Sequence, residues 1–299
     1  MMLLGSHVSL GGKEMLLQAA KEAAVYQANA LLCYTGAPQN SHRKPIEDYH
    51  ISEAWDYMKL KGIQNVTIHG PFLINLANSI DPHVFSFSID FLKEELQRTE
   101  AIGAKTLVLH PGAHRGAGSE KGIAQLIEGL NEVLDHSAGP SIALETMAGK
   151  GTEIGKNFAE LAEIISGVTY NERLSVCVDT CHIYDGGYDI VNDLDSVLKE
   201  FDQLIGLERI STFHLNDSLY GLASHKDRHQ NIGLGKIGLP TLKRIVDLPE
   251  FAEVPKFLET PSNGKVKYKN PPYKEEIALL RGELSFEEYL KSPKLYRER

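Results

Sequence analysis

Short runs of branched and aromatic residues alternate along this chain with stretches whose apolar positions recur every three or four residues. The runs LLGSHV (3–8), ALLCYT (30–35), NVTIH (65–69), KTLVLH (105–110), SIALE (141–145), LSVCVD (174–179), ISTFHL (210–215) and PKFLE (255–259) read as strands. Between them, KEMLLQAAKEAAVYQ puts Leu16, Ala20, Ala23 and Ala24 on one helical face. FLKEELQRTEAIG does the same with Phe91, Leu92, Glu95, Leu96 and Thr99, and Gly103 ends it as a helix-terminating glycine would. Eight strand–helix units in 299 residues match a closed (β/α)8 barrel of the α/β class, the TIM barrel. An open doubly wound sheet shares the alternation. The strand count, and the lack of a glycine-rich dinucleotide turn after the first strand, favour the barrel. No low-complexity linker or charge block marks a boundary, so 1–299 reads as one domain.

Composition narrows the function. The N-terminus has no basic segment before an apolar run, and no stretch approaches the roughly 20 apolar residues of a membrane span. A soluble cytoplasmic protein is the expectation. Cys33, Cys177 and Cys181 form no disulfide framework, and the C-x-x-x-C spacing in VCVDTCH fits neither a redox pair nor a structural zinc knuckle. A net charge of −9 opposes non-specific coating of nucleic acid, so any such role needs a local positive site, which bound cations can supply. MAGKGTEIGKNF imitates a phosphate loop, but Lys150 replaces its first glycine and Asn157 its Ser or Thr.

The chemistry gathers at the strand ends. His69, His110, Glu145, Asp179, His214 and Glu259 close six consecutive strands, and parallel barrel strands bring those ends to one face. A single such residue is usually an ordinary loop residue; six together exceed what one tetrahedral zinc needs, so at least two metals follow. His182, three residues beyond Asp179, and Asp227 with His229 in HKDRH add a third candidate set. Clustered metals suit hydrolysis of a phosphate ester by water, with Glu145 as a bridging ligand or base.

The strings HGPFLINLAN (69–78), LVLHPGAHRGAG (107–118), ALETMAGKGTEIG (143–155), CVDTCHIYDGG (177–187), HLNDS (214–218), DRHQNIGLG (227–235) and LETP (258–261) resemble endonuclease IV, the zinc-dependent apurinic/apyrimidinic endonuclease of DNA base-excision repair. The resemblance runs from GSHVS at 5–9 to LETP. It implies a single barrel with three zinc ions: one on His69, His110 and Glu145, a second on Glu145, Asp179, His214 and Glu259, a third on His182, Asp227 and His229. Manganese or iron can fill some of these positions. The cysteines of VCVDTCH then become bystanders. The implied partner is double-stranded DNA carrying abasic sites or blocked 3′ ends. The implied reaction cuts the phosphodiester 5′ to the abasic site, leaving a 3′-hydroxyl and a 5′-deoxyribose phosphate, with 3′-end trimming besides. A monomer is expected, because DNA needs one open face.

Phe72 and Leu73 stand where the family places an apolar wedge for DNA; a core position is the equal alternative. Gln39 falls in the place of a second DNA-inserting loop, TGAPQNSHRK (35–44). Arg115 and Arg228 are candidate phosphate contacts or solvated surface residues. Leu219 stands after HLNDS where the family leads one to expect a lysine. His7 and His114 are expected to hydrogen-bond ligands from behind. His42, His50, His83, His136 and His225 read as surface residues. A metal-dependent sugar isomerase or epimerase shares this barrel and its strand-tip ligands, but such enzymes need fewer ligands and no third set in a loop. A non-catalytic metal-binding protein would call for closed, often cysteine-rich sites.

Overall fold

A computed structural model describes residues 2–135, 138–263 and 271–296. The eight barrel strands and a small hairpin are β1 (Leu4–His7), β2 (Ala30–Cys33), β3 (Asn65–His69), β4 (Thr106–Leu109), β5 (Ser141–Glu145), β6 (Leu174–Asp179), β7 (Ile210–His214), β8 (Asp217–Ser218), β9 (His229–Gln230) and β10 (Lys256–Leu258). The barrel closes in the order β1-β10-β7-β6-β5-β4-β3-β2, all neighbours parallel, while β8 and β9 pair antiparallel on their own. Each expected strand is present, β3, β5 and β6 with the expected bounds and the other five shorter, and the open-sheet alternative is excluded by the β1–β10 pairing.

Helices α1 (Leu16–Val25), α2 (Ile51–Lys61), α3 (Pro82–Ile102), α4 (Ser119–Val133), α5 (Phe158–Gly167), α6 (Thr180–Gly186), α7 (Leu194–Leu204), α8 (Leu239–Asp247), α9 (Tyr273–Arg281) and α10 (Phe286–Tyr289) accompany the strands. In α1 the buried face is Leu16, Ala19, Ala20 and Ala23, with Ala24 half-buried at its edge. Helix α3 buries Phe91, Leu92, Glu95, Leu96 and Thr99, starts on Asp81 as N-cap with Pro82 in its first turn, and ends at Gly103 with φ +83°. Most of the buried apolar residues form one core between strands and helices. Two small clusters stand apart from it, Ala30–Leu32–Phe257 and Val108–Ala143–Cys177, and they fill the barrel interior. Among the described residues no helix is long and apolar enough to cross a membrane.

Candidate metal centre

A strand's period of two decides which side chains reach the top of the barrel. Val108, Ala143, Cys177 and Phe257 face inward, so His110, Glu145, Asp179 and Glu259, two residues on, project inward at the upper rim. His110 and Glu259 fall one residue past β4 and β10. Parallel register sets Asp179 opposite His214. Asp179 also starts α6, its Oδ1 accepting the His182 N–H at 2.9 Å, which fixes where His182 leaves the strand.

Glu145, fully buried, is the hub. Its Oε2 lies 3.1 Å from His110 Nε2 and 3.2 Å from His69 Nε2, and its Oε1 lies 2.9 Å from His214 Nδ1. The ligating atoms of His69, His110 and Glu145 fall within 4.8 Å of one another; so do those of Glu145, Asp179, His214 and Glu259, and those of His182, Asp227 and His229. All nine line or underlie the top of the barrel, and a cleft of about 240 Å³ opens on seven of them together with Tyr34 and Phe72.

The tautomers suit cation binding. His69 Nδ1 donates to Gly70 O at 2.8 Å, His182 Nδ1 to Thr146 O at 2.9 Å and His229 Nδ1 to Glu259 O at 3.1 Å. Only an N–H can satisfy a carbonyl, so in each neutral ring the Nε2 lone pair faces the cleft. His229 Nε2 is buried without a hydrogen-bond partner among the described residues, 3.5 Å from Asp179 Oδ2. An orphaned imidazole nitrogen beside carboxylates is what a divalent cation would satisfy, and the donor set of five imidazoles and four carboxylates fits zinc-like ions.

Charges at the centre reinforce one another. Burial opposes ionisation of Glu145, but His214 and His110 outweigh it and hold its carboxyl well below the usual range. Burial also opposes protonation of His182 and His214; neighbouring groups overcome it, chiefly Asp179 for His182, and Cys177 followed by Glu259 and Glu145 for His214, and both sit well above the ordinary value. Burial pushes Asp227 up, but the His182 hydrogen bond together with the charges of His182, His229 and Lys150 outweighs it and holds the carboxyl down at about 2. Without cations the site therefore holds protons on imidazoles between ionised carboxylates.

A family described as xylose isomerase-like TIM barrel matches residues 17–283. A probable endonuclease 4 of Oceanobacillus iheyensis is 55% identical over 97% of this chain and 98% of its own. One of Shouchella clausii is 58% identical over 95% and 97%. The crystal structure of endonuclease IV from Thermus thermophilus superposes with a TM-score of 0.79 at 28% identity, covering 93% of this chain and 97% of that one. This chain belongs to the endonuclease IV family. A D-tagatose 3-epimerase-like protein, 17% identical with a TM-score of 0.68, shares the fold alone.

Around the centre of this endonuclease IV family member, the structure distinguishes the remaining candidates. Phe72 is 57% exposed, with its ring centroid 5.6 Å from both Tyr34 and His110. Leu73 beside it is half-buried against the core. Gln39, Arg115 and Arg228 are exposed, and Arg115 has φ +53°. His114 does not reach a ligand: its Nδ1 accepts from the Gly116 and Gly118 N–H groups at 3.1 and 3.0 Å and shapes the loop bearing Arg115. His7 differs from expectation too. Its Nε2 is buried without a partner among the described residues, and burial takes the ring down to about 4, so it is neutral. His225 is exposed, as expected, but it is not idle: its Nδ1 donates to Ala148 O at 2.7 Å. His136 lies outside the described residues.

Four supports escape sequence reading. Asn216 donates to Asp179 Oδ2 at 2.7 Å and accepts from the Glu259 N–H at 2.9 Å, tying two candidate ligands together. The Thr146 hydroxyl accepts from the Asp179 N–H at 3.0 Å, and the Thr146 carbonyl accepts from His182 Nδ1. The Cys177 thiol lies beside buried His214, and burial pushes it up to about 12, so it stays protonated. Arg43 is buried in the 35–44 loop, its Nε bonding Glu95 Oε1 at 2.9 Å and Thr35 Oγ1 at 2.8 Å, and one terminal nitrogen reaching the Asn40 and His42 carbonyls at 2.9 and 3.0 Å. Gly36 makes room for it, since a Cβ there would come within 2.9 Å of its side chain. Asn216 stands in a string that carries the resemblance, and only its position between two chelating strand ends could have drawn attention to it.

Proposed function

We propose that this chain is the abasic-site endonuclease of its family: it hydrolyses the phosphodiester 5′ to an abasic site in duplex DNA, leaving a 3′-hydroxyl and a 5′-deoxyribose phosphate, and trims blocked 3′ ends. The observation that carries the reading is one buried carboxylate, Glu145, shared by two overlapping donor groups on the floor of an open cleft. His69, His110 and Glu145 would hold one zinc ion, Glu145, Asp179, His214 and Glu259 a second, and His182, Asp227 and His229 a third. When bound, such ions neutralise phosphodiester oxygens and lower the pKa of water.

The protein's own groups do the rest. Glu145 stays ionised at neutral pH and can accept a hydrogen bond from the attacking water. Asn216 and Thr146 hold Asp179 and Glu259 in place without titrating. Phe72, exposed above His110, is the apolar group able to enter the gap left by a missing base. Arg115 and Arg228, both exposed, would serve as phosphate contacts, with exposed Gln39 on a separate loop. The chain acts as a one-domain monomer in the cytoplasm, and its three buried unpaired thiols suit that reducing compartment. The third donor set and the 55%-identical endonuclease relatives weigh against the sugar-isomerase alternative.

A duplex oligonucleotide with one abasic site, incubated with protein before and after prolonged chelation, tests the reading. The expected result is incision on the 5′ side with a 3′-hydroxyl end, lost on chelation and restored by zinc. No incision by metal-replete protein overturns it.

A further inference from the structure

The ten residues 219–228 between β8 and β9 carry Asp227 and lead into His229, and their backbone is strained. Ala223, His225 and Asp227 have φ of 58°, 53° and 50°, a left-handed conformation that residues with a Cβ resist. These same three residues have their N–H groups taken by one end of α6. Ala223 N–H donates to Tyr184 O at 3.1 Å, His225 N–H to Asp185 O at 3.0 Å, and Asp227 N–H to Asp185 Oδ2 at 3.0 Å. The other Asp185 oxygen accepts from the Ser218 hydroxyl at 2.6 Å, so this buried carboxylate grips both the loop's entrance and its ligand end. On the far side His225 Nδ1 donates to Ala148 O, two residues beyond the Thr146 carbonyl that orients His182. Gly149 accommodates the contact, because a Cβ there would meet His225 Nδ1 at 3.1 Å.

The His182 ring and the Asp227 carboxylate, 3.0 Å apart, are thus referenced to the same two platforms, α6 and the segment after β5. We propose that Asp185 and His225 are positioning residues that govern how long an ion is retained on His182, Asp227 and His229, although neither touches the ion. The inference rests on the reading of those three residues as a metal site. Outer hydrogen-bond partners of ligating groups typically change metal affinity by roughly 10–100-fold.

Zinc-loaded wild type, Asp185→Asn, His225→Ala and His225→Asn are compared by metal analysis and by timed release of zinc to a coloured chelator. Asp185→Asn and His225→Ala should release one ion per chain about 10–100-fold faster than wild type, with the remaining ions at wild-type rates and unchanged circular dichroism. His225→Asn, whose amide can donate to Ala148 O, should recover slow release. Unchanged release in both weakened variants, or equal acceleration of all ions, overturns the inference. Wild type that retains no zinc overturns instead the reading of the site as a metal centre. If Asp185→Asn fails to fold, His225→Ala against His225→Asn decides alone.

Discussion

Two parts of the centre hold the same kinds of donor by different means. The strand-tip residues His69, Glu145, Asp179 and His214 are almost wholly buried, and the closed barrel's register fixes where they stand. Asp227 hangs from the hairpin loop and His229 opens the short strand β9 that follows it, with side chains 30% and 19% exposed. The Asp185 carboxylate of α6 and the Ala148 carbonyl after β5 hold that loop by hydrogen bonds, where strand pairing holds the tips. A donor on a strand tip inherits the rigidity of the whole sheet; a donor on a loop is only as rigid as the few bonds made for it.

The contrast breaks hardest at Glu145. Glu145→Gln keeps the volume and removes the shared charge, so incision of an abasic duplex in single-turnover assays should fall by roughly 10²–10³-fold or more, the loss typical of an electrostatic group at the reacting centre. The protein should still fold, with unchanged circular dichroism. Near-normal turnover would show that Glu145 is not the hub.

The 35–44 loop tests whether a buried ion pair can do for a loop what register does for a strand. Arg43 and Glu95 side chains are 1% and 0% exposed, so Arg43→Ala leaves the buried Glu95 carboxylate with the more distant Arg98 Nε at 3.7 Å and strips the Asn40 and His42 carbonyls of their donor. Loss of one partner of such a pair costs about 3–5 kcal/mol. Urea unfolding should report that loss; a shift below about 1 kcal/mol would mean that water replaces the guanidinium freely.

Much of this architecture was legible before the structure. Eight apolar runs gave the strands, and six of the clustered donors were visible as the polar residues at their ends. The DTCH and DRH strings announced the third donor set. The supports were not legible, because they are long-range and polar: Asn216 between Asp179 and Glu259, Asp185 under the 219–228 loop, Arg43 under the 35–44 loop. Hydrophobic periodicity is silent about polar residues, and nothing local says that a histidine at 225 reaches a carbonyl at 148. A short motif therefore marks a ligand but not the scaffold that aims it.

Acid should separate donors by proton competition. In the ion-free protein His182 and His214 have pKa values raised well above the usual 6.5, so both are protonated at neutral pH and must lose a proton to ligate. Metal affinity therefore rises with pH up to those raised values and falls as pH drops below them, by about tenfold per pH unit for each proton displaced. Competition titrations with a buffered chelator between neutral and mildly acidic pH measure that slope. A pH-independent affinity, after correction for the chelator, would contradict the protonated ion-free state.

Phe72 and Leu73 sharpen the comparison at the rim. Phe72→Ala should leave stability within about 0.5 kcal/mol, as for an exposed surface residue, yet weaken binding of an abasic duplex. Leu73→Ala, half-buried, should cost about 1–2 kcal/mol, less than a full core truncation. Thermal unfolding and fluorescence anisotropy separate the two. Equal losses of stability would place both residues in the core.

The smallest expected effect lies at Leu219, which lines a second cleft of about 260 Å³ with Arg228, His229 and Tyr296 beside the loop donors. An acidic chain with net charge −9 gathers phosphate only through local charge, and here a half-buried leucine stands at the rim. Leu219→Lys adds one cation beside the existing Arg228 without touching a donor. DNA affinity should rise a few-fold at low salt, and the slope of log affinity against log salt should steepen by about 0.9 for one added phosphate contact. Its backbone N–H already bonds Arg228 O at 2.9 Å, so the substitution needs no change of chain path. An unchanged slope would mean that DNA passes over the strand-tip side of the cleft and leaves the loop side to the ions alone.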